Sequence, residues 1–379
     1  MTVPDKVSLS LHDDDDHHIT PPGSFIASPP TPPPSEDRNC SNSSPAVLRV
    51  LKDIRWIKKQ GGTRVPIPWA AYKLDAEEYS CFEQQLQRDE ELAGFAGDKL
   101  RFDYFPSSNR LILRMPGDIH ERFIARIVEE IQDQLKAIRG PSASFARQIT
   151  TGASSRIKFP DKEYGSHDPD AQFDHSDAQY PGVVIEVSHT QKRRDLPHLA
   201  DDYILGSDAN IKVVVGLDIE YRADKAGTAT ISVWRPAIEV DEGVDCLVAR
   251  QTVDSQMFRD RNGNAISSPE SDLRISLQDF APETLFEKEH IPEEEIVISA
   301  SKMCEFLEAV EIQSAVKKSK MGAVNTDITK TWKKKRRREL TPAEELLERD
   351  EKRFKAEEDE ISRIDTLADP DFTPSDNCI

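Results

Sequence analysis

The chain has 379 residues, 37% of them hydrophobic and 31% charged, with 69 acids against 50 bases and a formal charge of −19. That length holds one large or two small domains. Its five scattered cysteines form no Cys-x-x-Cys pair, which argues against a zinc ribbon and a disulfide framework. No apolar run is long enough for a membrane span or a signal-peptide core, so a soluble, intracellular protein without a membrane partner is expected.

The acidity sits at the ends. Residues 1–45 hold seven acids and two bases and residues 341–379 thirteen acids and five bases, leaving only −6 of the total to 46–340. The balance therefore says little against nucleic acid as a ligand. Residues 1–45 are rich in Pro, Ser and Asp and poor in aromatics, so they cannot bury enough apolar surface to offset chain entropy and are expected to be disordered. His12, Asp13–Asp16, His17 and His18 read there as a solvated acidic tail.

A globular pattern begins near residue 46 and is expected to run to about 320. Residues 75–92 read as a polar helix. Leu100–Phe105 and Arg110–Arg114 read as short strands joined at Ser107-Ser108-Asn109. Ile119, Phe123, Ile124, Ile127, Val128, Ile131 and Leu135 recur at helical spacing after Pro116-Gly117-Asp118, and that helix is expected to end near Gly140-Pro141. Strands are expected at 154–159, 169–174 and 182–188, then a helix over 193–206 with Leu196, Leu199, Ala200, Tyr203 and Ile204 inward. Ile211–Ile219 and Thr228–Trp234 read as a β-hairpin, 245–300 adds strands including Leu273–Leu277, and Ser299–Lys318 reads as a helix. The order predicts an α/β fold, a central mixed sheet flanked by helices.

Lys317-Lys318-Ser319-Lys320 and Lys333–Arg338, twelve residues apart, have the form of a bipartite nuclear import signal. Residues 321–340 are thus read as a basic linker, Lys317–Arg338 as the patch for an import receptor, and the nucleus as the expected location. Residues 341–379 read as an acidic helix with a frayed end.

Two acids stand out chemically. Asp170 lies in His167-Asp168-Pro169-Asp170, and Glu186 closes the apolar run Val183-Val184-Ile185. A carboxylate within a buried strand costs free energy unless something pairs with it. Two of them on neighbouring strands suit a divalent cation, and Mg²⁺, which takes hard oxygen ligands and activates water, suits phosphodiester hydrolysis. The structural alternatives are a turn role for Asp170, a buried ion pair from Glu186 to Arg156 or Lys158, a plain helix-start acid for Glu121, and structural roles for His120 and His167.

Pro169-Asp170 followed by an apolar strand ending in Glu186 resembles the PD-(D/E)XK nuclease superfamily, the restriction-endonuclease-like fold, over residues 98–235. It is similar in particular to fungal nuclease-like proteins in which the scaffold carries disordered ends. The resemblance implies a Mg²⁺-dependent nuclease acting on DNA, with Asp170 and Glu186 as metal ligands and Glu121 as an additional one. The motif lysine two residues after the acid is replaced by Ser188. Gln191 or Lys192 is then expected to orient the attacking water, with His189, Asp168 and Lys158 as second choices. The missing lysine also implies the alternative, a catalytically inactive module on the same fold that serves as a nuclear binding or scaffold protein.

Overall fold

A computed structural model describes residues 44–60, 69–188, 194–220, 227–266, 268–289 and 292–322. The N-terminal tail, His189, Gln191, Lys192, the cluster Lys333–Arg338 and the acidic C-terminus lie outside the described residues. The chain divides into Met1–Ser314 and Ala315–Ile379. The first holds both sheets and the candidate site.

Helix α1 (Pro45–Lys59) starts where Ser44 accepts from the Val47 amide. Strand β1 (Trp69–Lys73) precedes α2 (Ala76–Arg88), whose Asp75 and Glu78 form a reciprocal capping box. The polar helix expected over 75–92 breaks at Asp89, which caps a second helix, α3 (Glu90–Lys99). Strands β2 (Arg101–Phe105) and β3 (Arg110–Arg114) fall where expected, with Asn109 left-handed at φ 50° in their turn. Helix α4 (Asp118–Ala137) buries Phe123, Ile127, Ile131 and Leu135 along one stripe.

Helix α5 (Ala143–Arg147) and strand β4 (Ile149–Thr151) lead to three short pieces, β5 (Ile157–Lys158), β6 (Ser166–His167) and β7 (Ala171–His175). Strand β8 (Val183–Ser188) is wholly buried, and α6 (Leu196–Gly206) follows. Strand β9 (Val213–Ile219) pairs antiparallel with β10 (Ala229–Asp241), as the hairpin reading expects, but β10 runs seven residues past Trp234 and pairs with a still longer β11 (Val244–Arg259). Strand β12 (Leu273–Ser276), helix α7 (Glu283–Glu289), strand β13 (Glu295–Ile298) and helix α8 (Ala300–Gly322) complete the order.

The fold is α/β, with a six-stranded mixed sheet in the order β11-β10-β9-β8-β7-β4 and helices on its faces. Alternation along β8 shows both faces at work. Val183, Ile185 and Val187 join the α4 stripe in the largest core, while Val184 faces Leu199, Ala200 and Tyr203 of α6. Among the described strands only β8 and β9 run parallel, with α6 between them in the chain.

One expectation needs correction. Strands β2 and β3 do not extend this sheet. They belong to a second, five-stranded antiparallel sheet in the order β1-β3-β2-β6-β5, which carries its own core against α1, α2 and α3. The sequence reading anticipated neither α1 nor β1. No helix among the described residues is long and apolar enough to cross a membrane.

Candidate functional site

The two sheets meet at Asp170. Register places Ala171 opposite Ile185, so Asp170, immediately before β7, lies beside Glu186 and Val187. Glu186 shares the α6 face with Val184 and Ser188, because side chains alternate. The acids singled out in the sequence are therefore neighbours, and both side chains are fully buried.

Between them stands Arg114, the last residue of β3 in the other sheet. Its Nε donates to Asp103 Oδ2 at 2.7 Å and its Nη1 to Asp170 Oδ1 at 2.9 Å. Its Nη2 donates to the Asp168 carbonyl at 2.7 Å and lies 4.0 Å from Glu186 Oε2. Three carboxylates thus surround one guanidinium. Burial works against the charge on Arg114, but Asp103, Asp170 and Glu186 outweigh it and hold the proton more firmly than usual.

The remaining lone pairs are also engaged. Asp170 Oδ2 accepts from the Val187 amide at 2.7 Å and lies 3.1 Å from His120 Nε2. Tyr203 donates to Glu186 Oε1 at 2.8 Å, and burial together with that carboxylate raises the Tyr203 phenol well above its ordinary value. His167, fully buried, lies 2.9 Å from Asp202 through Nε2 and 3.7 Å from Asp103 through Nδ1. Burial opposes its charge, yet the flanking carboxylates prevail and carry its pKa to about 9. Imidazolium and guanidinium therefore share Asp103.

The other sequence-derived candidates fall elsewhere. Glu121 is half exposed at 49% and lies 3.7 Å from Arg101, while its neighbour His120 turns inward. Ser188, at the lysine position, donates to Asp218 Oδ1 at 2.7 Å. Arg156 and Lys158 do not reach Glu186. Arg156 grips Asp168 with two nitrogens at 2.7 and 2.9 Å, and Lys158 pairs with Glu83 at 2.9 Å. Both line a groove of about 420 Å³ with Arg101, Phe102, Glu83 and Asp168. The ion-pair alternative for Glu186 thus had the right chemistry and the wrong base. Gln191 and Lys192 are outside the described residues.

As placed, the carboxylates do not fit Mg²⁺. The position on which Asp170 and Glu186 converge is filled by a guanidinium, and both side chains are shut off from the solvent that would supply the several waters Mg²⁺ retains. What the arrangement can do is couple two sheets through a cation that cannot be deprotonated. Asp103 and Arg114 were missed by the sequence reading. The detectable signal was an acid, Asp103, in the middle of the aromatic strand Phe102-Asp103-Tyr104, since such an acid needs a buried base.

Comparison with protein-family models, curated proteins and solved structures finds no match.

Proposed function

We propose that this chain is a non-catalytic module with a nuclease-like α/β core, acting by binding nucleic acid, with DNA favoured, in the nucleus. The observation that carries this reading is Arg114 seated among Asp103, Asp170 and Glu186 in a closed interior. The residues that a PD-(D/E)XK enzyme would commit to a cation are committed here to a fixed side chain, and Ser188 stands in place of the lysine. Binding would come from the basic runs, Lys317–Lys320 with Lys333–Arg338, whose lysines and arginines displace counterions from phosphates. The same runs support import through a nuclear transport receptor.

The competing reading, a Mg²⁺-dependent nuclease, draws on the convergence of Asp170 and Glu186 from adjacent strands. One set of measurements separates the two. The full chain is titrated with Mg²⁺ by calorimetry and incubated with duplex and single-stranded DNA. The binding reading expects no Mg²⁺ uptake, no cleavage, and salt-dependent DNA binding that survives Glu186→Gln but weakens when Lys333–Arg338 are neutralised. Mg²⁺-dependent cleavage that Glu186→Gln abolishes would replace it with the enzymatic reading. Absence of DNA binding at low salt defeats the nucleic-acid assignment itself.

A further inference from the structure

Beyond Trp234, which pairs with Val214, β10 loses its β9 neighbour. From Arg235 to Asp241 its only strand partner among the described residues is β11, although at its base Arg235 donates to Asp279 and Ala249 packs on the α6-side core, and no described strand pairs with the outer edge of β11. The result is a two-stranded arm leaving the sheet. A two-stranded ribbon is marginal in water, and a long unpaired edge invites a further strand. The arm is also apolar where it is bare: Ile238 is 60% exposed, Val240 72% and Val244 64%.

We propose that a second copy of this chain completes the arm, β11 pairing antiparallel with the partner's β11 about a two-fold axis at Val248. The register of the arm makes this surface self-complementary. Residues opposite one another share a face, so Ile238 with Leu247 and Pro236 with Ala249 form one side, and Ala237 with Val248 and Glu239 with Cys246 the other. A two-fold axis perpendicular to the ribbon keeps each face on its own side. Centred on Val248, it sets Val248 against its own copy, Leu247 against the partner's Ala249, and Cys246 against the partner's Arg250.

The rows across four strands then match. The central row is Ala237, Val248 and their copies. One flanking row is Ile238 and Leu247 followed by the partner's Ala249 and Pro236. On the opposite face, Glu239 and Cys246 meet the partner's Arg250 and Arg235. Charge selects the antiparallel sense. The arm's tip carries Glu239, Asp241, Glu242 and Asp245, and its stem carries Arg235 and Arg250. Antiparallel pairing sets each acidic tip against a basic stem, whereas parallel pairing would set four acids against four. This inference is independent of the proposed binding function.

Sedimentation of the full chain across about 1–100 µM tests it, because a dimer must obey mass action. The wild type is expected to dimerise, and Val248→Lys, which opposes two lysines at the axis, to weaken association at least tenfold with circular dichroism unchanged. Register is read separately with Arg250→Cys under oxidised glutathione, whose introduced thiol should cross-link to the partner's Cys246. The additional Cys246→Ser change should abolish that link. A monomer throughout the range, a Val248→Lys dimer as tight as the wild type, no cross-link in Arg250→Cys, or a cross-link that survives Cys246→Ser overturns the proposal.

Discussion

The Arg114 hub and the β10–β11 arm answer the same physical demand in opposite ways. In the hub every charge is drawn inside and met by another part of the same chain: Asp103 and Asp170 by Arg114, Glu186 by Tyr203, His167 by Asp202. In the arm, backbone groups along β11 and apolar side chains such as Val240 are left to the outside. The hub holds the residue types associated with catalysis, yet its bonding is directed inward. The arm's acids and arginines gather in no buried cluster, and among the described residues no strand pairs with its outer edge. Chemical identity alone therefore points to the wrong place for an encounter with another molecule; unmet valence points to the right one.

Mutations can break this contrast, beginning with the hub's cation. Arg114→Ala removes the charge shared by three buried carboxylates and should cost about 3–5 kcal/mol, the usual penalty for breaking a buried pair, read by urea denaturation. Restoring polarity without charge, by Asp103→Asn and Asp170→Asn in the same chain, should recover part of that loss. An Arg114→Ala protein as stable as the wild type would mean that the hub is not what holds the sheets together.

Raising pH should have the next largest effect. The folded pKa of His167, about 9, lies above its ordinary value of 6.5. Its stabilisation is therefore complete below 6.5 and is lost as pH rises through 9. The difference corresponds to roughly 3 kcal/mol. The melting temperature should fall over that window in the wild type and stay flatter in His167→Gln, which starts lower. Equal slopes in the two proteins would remove His167 as the cause.

Tyr203→Phe deletes the 2.8 Å hydrogen bond to Glu186 at nearly constant volume, and a loss of about 1–3 kcal/mol is expected by thermal denaturation. At the arm the expectation is smallest. Ile238→Ser on an exposed face should change the stability of the isolated protomer by no more than about 0.5 kcal/mol. A large loss there would show that the arm is internally supported after all, and the comparison would need redrawing.

Much of the fold was legible because it obeys local rules. The α4 stripe, the apolar run of β8 and the β9–β10 hairpin carry their periods in the chain. Sheet membership was not legible. Nothing local to Arg101–Phe105 states that it pairs with Ser166–His167 rather than with β7. The site followed the same division. Asp170 and Glu186 were recognisable as unusual acids, but the reading gave Asp170 a turn role as its structural alternative and sought a base for Glu186 only in Arg156 or Lys158. The base that answers Asp170 comes from Arg114, 56 residues earlier, at the end of a strand whose alternation looks ordinary. The length of the arm was hidden for a different reason. Residues 235–250 mix apolar and charged types without a burial partner, and so carry no clear period.

Arg114 has one more consequence, for how the molecule comes apart. The helices α1, α2 and α3 with their antiparallel sheet own one apolar cluster, the six-stranded sheet owns another, and a third is shared, with Phe105 and Ile112 packing among Val184, Tyr203 and Trp234. The first two clusters would let the halves open one at a time, as independent foldons do, but the shared cluster and the Arg114 hub oppose it. A guanidinium anchored on β3 with its carboxylates on β2, at the entry to β7 and on β8 makes partial opening of either half expose buried charge in both. Unfolding should accordingly be a single transition in the wild type and split into two in Arg114→Ala, with amides of α1 and β1 exchanging well before those of β8 and β9.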